Sequence, residues 1–348
     1  MTADSRPTLA LAIGDAAGIG PELAAKVLAD DEVRQAAHFV VIGDRRLLEL
    51  GAEQADVDLD LEDDRFVELE NLDPARVTIG EASELTGAAA LENFATALTL
   101  CHRGGADATC FTPFNKHAMR LARPGYVDEI GFIQAVLDTE AEGAEFNVLD
   151  ELWNARVTSH VPLSEVASMI TKDRVFERIK LTDATMQGAG EGRPRIAVAA
   201  LNPHAGDGGN FGQEDDDIIA PAVREAQKHQ INVSGPWPSD TVYLRAHKGE
   251  FDVVLSMYHD QGQIAMKLIG FDRGVTLIGG YPFWIATPAH GTAYDIAGQG
   301  QANPQATKNA LLLAAKLARA SGVPLADETA RRAVIEAMRE SPAAQPIN

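Results

Sequence analysis

The amino-acid sequence predicts an α/β protein, a class in which parallel strands are joined by crossover helices. Short apolar runs alternate with amphipathic stretches almost from end to end, which is the pattern of repeated strand–helix–strand units. The chain has 348 residues, of which 45% are hydrophobic and 30 are glycine. A chain of this length can bury a substantial core, and usual domain sizes favour two domains.

The predicted elements keep that alternation along the chain. In order they are strand 8–13, a helix from Pro21, strand 39–42, helix 88–101, strand 108–112, strand 195–201, helix 216–230, strand 251–257 and helix 306–320. Proline is favoured in the first turn of a helix, which sets the first helix start. Lys116 follows the end of strand 108–112, and histidine segments follow the next two strands. Ligands bind at that edge of open α/β sheets, so we expect function there.

Charge and composition exclude several classes of partner. The net charge of −21 and the absence of a dense Lys/Arg cluster argue against binding to nucleic acid or anionic membranes. The N-terminus lacks a basic segment and Gly14-Asp15 interrupts its apolar run, so we expect no signal peptide. No stretch reaches the roughly 20 apolar residues of a membrane helix. We therefore expect a cytoplasmic protein whose Cys101 and Cys110 are reduced packing residues.

Three of the nine histidines lie in polar segments flanked by glycine or proline. They are His160 in Thr158-Ser159-His160-Val161-Pro162, His204 in Asn202-Pro203-His204-Ala205-Gly206, and His259 in Tyr258-His259-Asp260-Gln261-Gly262. Three neutral imidazoles suit a divalent ion such as Zn, Co, Ni or Mn and leave positions open for substrate oxygens. Each histidine could instead form hydrogen bonds within its own loop. Asp240 and Asp260 could orient the ligand imidazoles or simply cap turns.

Two glycine-rich segments are further candidates for ligand binding. Residues 14–20 read G-D-A-A-G-I-G after a strand and before a helix, so their backbone N–H groups could face an anion. The spacing is not the dinucleotide-binding G-x-G-x-x-G, and the segment could equally be a tight turn. Residues 290–304 are too polar and glycine-rich to be core. Long shaped loops of this kind usually bind a ligand.

The 290–304 segment resembles the H-G-[ST]-A-x-D-I-A-G-x-G-x-A-N-P loop of the β-decarboxylating dehydrogenases, the isopropylmalate and isocitrate dehydrogenase group. In that group the loop holds the adenosine half of the cofactor. The resemblance implies NAD or NADP as cofactor. It makes His290, Asp295 and Asn303 candidate cofactor contacts, and Gly279 and Gly280 are two further candidates.

Other motifs resemble the 4-hydroxythreonine-4-phosphate dehydrogenase family. They cover nearly the whole chain in the same order: G-x-x-A-G-I-G-P-[ED]-L, T-x-H-x-P-L, L-N-P-H-A-G-[ED]-G-G, G-P-x-x-[SA]-D-T and M-Y-H-D-Q-G. The resemblance implies a homodimer whose partner helps complete each active site. It also implies two α/β/α domains with a cleft between them, as in isocitrate and isopropylmalate dehydrogenases. We expect residues 1–127 with 272–348 on the cofactor side and residues 128–271 on the metal, substrate and dimerisation side.

The family resemblance also implies the chemistry. His160, His204 and His259 would hold one divalent ion, whether Zn, Co, Ni, Mn or Mg, while a β-hydroxy acid is oxidised and its product loses carbon dioxide. Lys116 and Lys267 are candidates for pairing a substrate anion or moving the proton, and either could be an ordinary surface lysine. The full set of candidate catalytic residues is Lys116, Lys267, Asp240 and Asp260.

The sequence departs from the family where the family grips a phosphate. The family's His-Thr pair falls on Asp128-Glu129, its arginine on Ile285 and its asparagine on Thr276. Candidate substrate contacts are thus Asp128, Glu129, Lys267, Thr276 and Ile285. Since a buried, unpaired phosphate costs about several kcal/mol, we expect a non-phosphorylated substrate such as a cis-dihydrodiol carboxylate.

The chain is also similar to a branch of the family that includes terephthalate dihydrodiol dehydrogenase. It shares with that branch the L-A-L-A-I-G-D start and the I-G-G, F-G-x-E-D and A-P-A-V segments. One alternative is the phosphorylated substrate of pyridoxal phosphate biosynthesis. Another is a non-catalytic paralogue that binds metal and NAD. A metal hydrolase using the three histidines is a third, but it leaves the 290–304 loop unexplained.

Overall fold

The computed structural model describes residues 6–59, 61–62, 65–149, 152–320 and 327–340, and it confirms the α/β class. The chain forms two compact units, one of residues 1–143 with 281–348 and one of residues 144–280. These boundaries fall later in the sequence than the predicted 127/128 and 271/272. One reason is that the ring of Phe132 stacks on Phe94 at 5.7 Å between centroids, which holds the segment after residue 128 in the first unit.

Eleven strands and thirteen α-helices are found among the described residues. The strands are β1 (Thr8–Ala12), β2 (His38–Gly43), β3 (Phe66–Glu68), β4 (Ala108–Phe111), β5 (Ala144–Leu149), β6 (Leu152–Arg156), β7 (Ile196–Ala199), β8 (Val233–Trp237), β9 (Val253–Ser256), β10 (Val275–Gly279) and β11 (Trp284–Pro288). The helices are α1 (Gly20–Ala29), α2 (Asp31–Ala36), α3 (Arg45–Ala55), α4 (Glu84–His102), α5 (Lys116–Ala122), α6 (Glu129–Leu137), α7 (Leu163–Met169), α8 (Lys172–Gly188), α9 (Ala220–Lys228), α10 (Ser239–His247), α11 (His259–Gly270), α12 (Gln305–Ala320) and α13 (Glu328–Glu340).

The strands of the first unit lie in the order β3-β2-β1-β4-β11, and each neighbouring pair is parallel. Every residue of β1 and β4 is buried, which fits a parallel sheet covered by helices on both faces. Because the strands are parallel, the chain leaves β1, β4 and β11 at the same edge of the sheet. That edge carries residues 14–20, here called the glycine turn, together with Lys116 and the 290–304 loop.

The strands of the second unit lie in the order β10-β5-β6-β9-β7-β8. The β10–β5 and β5–β6 pairs are antiparallel, whereas β6, β9, β7 and β8 are parallel. Val254, Ala197 and Leu149 form the core of this unit with the buried face of α10 and with Met266 of α11. The parallel run again brings several strand ends to one edge.

The predicted elements are shifted or extended in three places. Helix α4 begins at Glu84, four residues before the predicted start, because Ser83 and Thr86 form a capping box. The predicted helix 216–230 begins with a π-helical turn, Asp215–Ile219, before α9. His259, expected in a loop, is the first residue of α11. No described helix is long and apolar enough to cross a membrane.

Both cysteines are buried free thiols, as predicted. Burial raises the pKa of the Cys101 thiol to about 12 and raises that of Cys110 as well. Neither thiol is therefore a ready nucleophile at neutral pH.

Candidate functional site

The second unit gathers the three histidine segments at one edge of its sheet, here called the histidine edge. Strands β6, β9 and β7 are parallel neighbours, with Arg156 opposite Ser256 and Val198 opposite Leu255. The chain reaches His160 four residues after β6, His259 three residues after β9 and His204 five residues after β7. The sheet topology therefore places all three segments beside one another, as expected of strand ends.

Two side chains join these strand ends by hydrogen bonds to the backbone. The Thr158 hydroxyl donates to the carbonyl of Met257 at 2.8 Å, which connects the end of β6 to the end of β9. The Gln261 amide oxygen accepts from the Met257 N–H at 2.6 Å, and its nitrogen donates to the carbonyl of Ala200 at 2.7 Å. The same nitrogen lies 2.9 Å from the Ser239 hydroxyl at the start of α10. Gln261 therefore links the segments that carry His259, His204 and Asp240.

The imidazoles themselves are only partly assembled. The rings of His160 and His259 lie 5.5 Å apart between centroids, and His259 Nδ1 lies 2.6 Å from a carboxylate oxygen of Asp260. His204 has a left-handed backbone, with φ of 53°, and its ring lies 6.0 Å from that of Phe211. Within the described residues, no three His, Cys, Asp or Glu side chains are close enough to hold a metal ion.

The donor set at this edge nevertheless suits a divalent ion. Asp260 is paired with Nδ1 of His259, which fixes the ring and leaves Nε2 available to a ligand. An imidazole oriented by a carboxylate is the usual arrangement at protein metal sites. His160 and His204 are exposed at the same edge.

The other predicted residues of this unit lie in varied environments. Lys267 is exposed on α11, with its ammonium 5.8 Å from the centre of the Phe271 ring. Asp240 is exposed in the first turn of α10. Thr276 accepts a hydrogen bond from the Asn147 amide at 3.4 Å. Gly279 packs closely, because a Cβ there would lie 2.7 Å from the Thr185 methyl, and Gly280 has φ of 95°.

A buried polar layer that was not predicted from the sequence lies beside this edge. Arg156, the last residue of β6, is almost fully buried and pairs with Glu145 at 2.7 Å. The hydroxyl of Tyr243 donates to Asn154 at 2.6 Å. Burial raises the pKa of Tyr243 above its usual range. Arg156 and Asn154 interrupt an otherwise apolar strand, and that interruption was the available signal.

The first unit has a corresponding edge at the ends of β1, β4 and β11, here called the lysine edge. Lys116, at the start of α5, pairs with Glu129 at 2.9 Å, and Glu129 is largely buried. The Asp128 carboxylate caps α6 by accepting from the Gly131 N–H at 2.9 Å. The two acidic residues expected to face substrate are thus engaged within the protein. Ile285, also expected to contact substrate, is fully buried in β11.

The 290–304 loop follows β11 at the lysine edge. His290 Nδ1 lies 3.1 Å from the Gly291 carbonyl, while its Nε2 is buried and has no partner among the described residues. Asp295 is exposed, and the Asn303 side chain accepts from the Gln305 N–H at 3.0 Å at the start of α12. An orphaned imidazole nitrogen and exposed polar groups suit a ligand with hydrogen-bonding atoms, such as a nucleotide.

Asp15 and Tyr294 form a hydrogen-bonded pair at the lysine edge that the sequence analysis also missed. The Tyr294 hydroxyl donates to the carboxylate of Asp15, which is 1% exposed. Burial raises the pKa of Asp15, although hydrogen bonds from Tyr294, Ala17 and Thr86 oppose that shift. Burial and the bond to Asp15 together raise the pKa of Tyr294. Asp15 in the glycine turn was the only sequence signal, because its partner lies 279 residues away.

The chain has two α/β units in which polar residues follow the ends of parallel strands, the position at which open α/β sheets bind ligands. A family model described as "Pyridoxal phosphate biosynthetic protein PdxA" matches residues 35–314. The chain therefore belongs to the PdxA family, which confirms the resemblance seen in the sequence.

The names of similar proteins give two kinds of substrate. A Rhizobium meliloti protein provisionally named 4-hydroxythreonine-4-phosphate dehydrogenase 2 is 56% identical, covering 91% of this chain and 95% of the relative. An Oceanobacillus iheyensis protein provisionally named D-threonate 4-phosphate dehydrogenase is 37% identical, covering 90% and 98%.

Two solved structures are also similar to this chain. The 4-hydroxythreonine-4-phosphate dehydrogenase of Klebsiella pneumoniae is 32% identical with a TM-score of 0.81, covering 91% of this chain and all of the other. A terephthalate 1,2-cis-dihydrodiol dehydrogenase of Burkholderia xenovorans is less similar, at 28% identity and a TM-score of 0.61, covering 86% and 95%.

Proposed function

We propose that this protein is an NAD- or NADP-linked dehydrogenase that oxidises a phosphorylated β-hydroxy acid, of the 4-hydroxythreonine 4-phosphate or D-threonate 4-phosphate type, with loss of carbon dioxide. The observation that carries the proposal is the similarity to a relative with a name of this type, at 56% identity over 91% of this chain. The names of the relatives do not support the non-phosphorylated substrate expected from the sequence. They agree better with the alternative, a phosphorylated one.

The proposed metal ligands are His160, His204 and His259 at the histidine edge. Their support is the adjacency of β6, β9 and β7 and the Asp260 carboxylate on His259. A divalent ion bound there would supply Lewis-acid stabilisation of negative charge on the substrate oxygens. The residues of the chain would have separate tasks: Asp260 orients His259, and Gln261 and Thr158 hold the strand ends in register.

The two lysines, one in each unit, have different surroundings and different proposed roles. Glu129 pairs with Lys116, so Lys116 is held in one place and its charge is compensated. A lysine whose charge is already compensated is a poor partner for a phosphate, and the proposed role of Lys116 is proton transfer. Lys267 has no carboxylate within ion-pair distance in the described part of the chain, and it is the proposed partner of the substrate anion.

We also propose that the protein is a homodimer formed through α11. Three large apolar side chains are exposed along this helix and the turn after it: Ile264, Leu268 and Phe271, at 61%, 83% and 56% exposure. Their spacing of four and three residues puts them on one face. We propose that a second copy of this chain covers these three side chains. The reason is that they lie on the helix that begins at His259 and on the turn after it, so a partner there would lie next to the histidine edge. Leu268→Asp should give a monomer by light scattering, whereas Leu85→Asp on α4 should leave the dimer intact.

The substrate assignment is tested by steady-state formation of NADH or NADPH from matched compounds. We expect turnover of 4-hydroxythreonine 4-phosphate or D-threonate 4-phosphate, with kcat/KM at least about a hundredfold above that of the same acid without its phosphate. Lys267→Met should abolish this preference, and Lys172→Met, at an exposed position of α8 in the same unit, is the matched control. Turnover of a cis-dihydrodiol carboxylate alone would contradict the proposal and restore the non-phosphorylated alternative.

A further inference from the structure

We infer that Tyr294 is a positioning residue that, through Asp15 and Asn115, fixes the 290–304 loop for cofactor binding. The inference rests on the proposed function. It concerns the three segments that leave β1, β4 and β11 within the first unit. Asp15 belongs to the first segment, Asn115 to the second and Tyr294 to the third.

The contacts of Tyr294 connect all three segments. Its hydroxyl donates to the carboxylate of Asp15, and the side chain of Asn115 lies beside it. Asn115 caps α5 by accepting from the N–H groups of His117 and Ala118, both at 3.0 Å. The residue between Asn115 and His117 is Lys116, the proposed proton-transfer group. A single phenol therefore links the loop proposed to bind the cofactor with the helix start that carries this lysine.

The loop conformation needs such a restraint. Ala293, directly before Tyr294, has φ of 43°, a left-handed backbone that is unfavourable for an alanine. Thr292 is held on the other side, because its carbonyl accepts from the Ile19 N–H at 3.0 Å. Residue 18 must be glycine for this approach, since a Cβ there would lie 2.7 Å from the Thr292 oxygen. The first part of the loop is thus pinned to the glycine turn by one backbone bond and by the Tyr294–Asp15 pair.

The far end of the loop is anchored independently. Lys26 of α1 donates to the carbonyls of Gly300 and Ala302 at 2.9 and 2.8 Å, and Glu22 accepts from the Ala302 N–H at 2.8 Å. Loss of the Tyr294 hydroxyl would therefore free the part that carries His290 and Asp295 without releasing the whole loop. This separation makes the role of Tyr294 testable by a single-atom change.

Asp15 depends less than Tyr294 does on the hydrogen bond between them. Asp15 keeps another donor, the Ala17 N–H at 3.1 Å, so its carboxylate retains a hydrogen bond when Tyr294 is replaced. Among the described residues, the polar neighbours of the Tyr294 hydroxyl are the side chains of Asp15 and Asn115, which belong to the other two segments. Tyr294→Phe should therefore loosen the loop more than it destabilises the glycine turn.

The experiment measures NAD and NADP binding by calorimetry for the wild type, Tyr294→Phe, Asp15→Asn and the double variant. We expect each single variant to raise the cofactor dissociation constant about tenfold, as the loss of one hydrogen bond to a charged group would, and the double variant to bind no more weakly than the singles. Hydrogen exchange of the cofactor-free protein should show faster exchange in residues 290–297 and unchanged exchange in residues 300–304. Tyr243→Phe, which removes another buried phenol in the second unit, is the matched control and should leave the dissociation constant unchanged.

The outcomes separate this inference from the proposed function. A wild-type protein that binds neither NAD nor NADP would overturn the proposed function, and this inference with it. Normal cofactor binding and unchanged exchange in Tyr294→Phe would overturn the inference alone. Additive losses in the double variant would also overturn it, because they would mean that Tyr294 and Asp15 act separately.

Discussion

Gly14 has no room for a side chain, and this makes Gly14→Ala the sharpest test of how the lysine edge is built. A Cβ at this position would lie 2.2 Å from the Thr112 carbonyl oxygen and 2.4 Å from that of Pro113. Both obstacles are backbone atoms, so no side-chain rotation can relieve them. The backbone N–H of Gly14 also donates to the Thr112 hydroxyl at 2.8 Å, which keeps the two segments together.

The size of the effect follows from that geometry. Real Cβ contacts stay above 3.0 Å, so the segment after β4 would have to move by about 0.8 Å. Overpacking of this severity costs about 3 kcal/mol. The segment that moves leads directly to Lys116, and a displacement near 1 Å at a reacting group can lower activity by about a hundredfold. We therefore expect a clear drop in the midpoint of urea unfolding together with a loss of kcat.

The control is Gly192→Ala in the second unit, where a Cβ would meet no heavy atom within 4 Å. That change should shift stability by less than about 0.5 kcal/mol. A Gly14→Ala protein with the wild-type midpoint and the wild-type kcat would refute the account of the lysine edge.

Three further predictions concern particular contacts. Burial opposes ionisation of Asp252, but hydrogen bonds from Arg195 outweigh it and hold the pKa of Asp252 below its usual value. A lowered carboxyl pKa stabilises the fold at pH values above the pKa of the unfolded state. Asp252→Asn should therefore lower the free energy of unfolding by about 1 kcal/mol at pH 7, and the difference in urea midpoint should shrink to nothing as the pH falls below about 4. Asp260→Asn should weaken binding of Co²⁺ or Zn²⁺ by about ten- to a hundredfold, as measured by calorimetry, with unchanged affinity counting against an orienting role for Asp260. Gln261→Leu should weaken metal binding through the displaced strand ends, while Gln187→Leu, an exposed glutamine on α8, should not.

The sequence predicted the class and the strand ends because both depend on local patterns. Strands β1, β4, β7 and β9 are short apolar runs followed by polar residues, and such runs are read directly from the chain. The order of β6, β9 and β7 was not readable, because it is set by the packing of residues up to 100 positions apart. Only that order explains why His160, His204 and His259 share one edge.

The pairing of side chains could not be predicted for the same reason. Glu129 follows Asp128 in a segment that departs from the family, which suggested substrate contact. The structure instead pairs Glu129 with Lys116 and uses Asp128 as a helix cap. Asp128 is followed three residues later by Gly131, so a cap was a possible interpretation of the sequence alone. The Lys116–Glu129 pair had no local signal at all.

The two edges are assembled on the same physical principle, and this has a consequence for how substitutions act. At each edge, a residue outside the proposed ligand set holds neighbouring strand ends through hydrogen bonds: Gln261 at one and Asp15 at the other. A packed interior transmits the loss of such a bond as a shift of the attached segments, because it has few voids in which to absorb it. Substitutions at Gln261 and Asp15 should therefore change ligand affinity without removing any ligand contact, which distinguishes them from substitutions at His204 or Lys267.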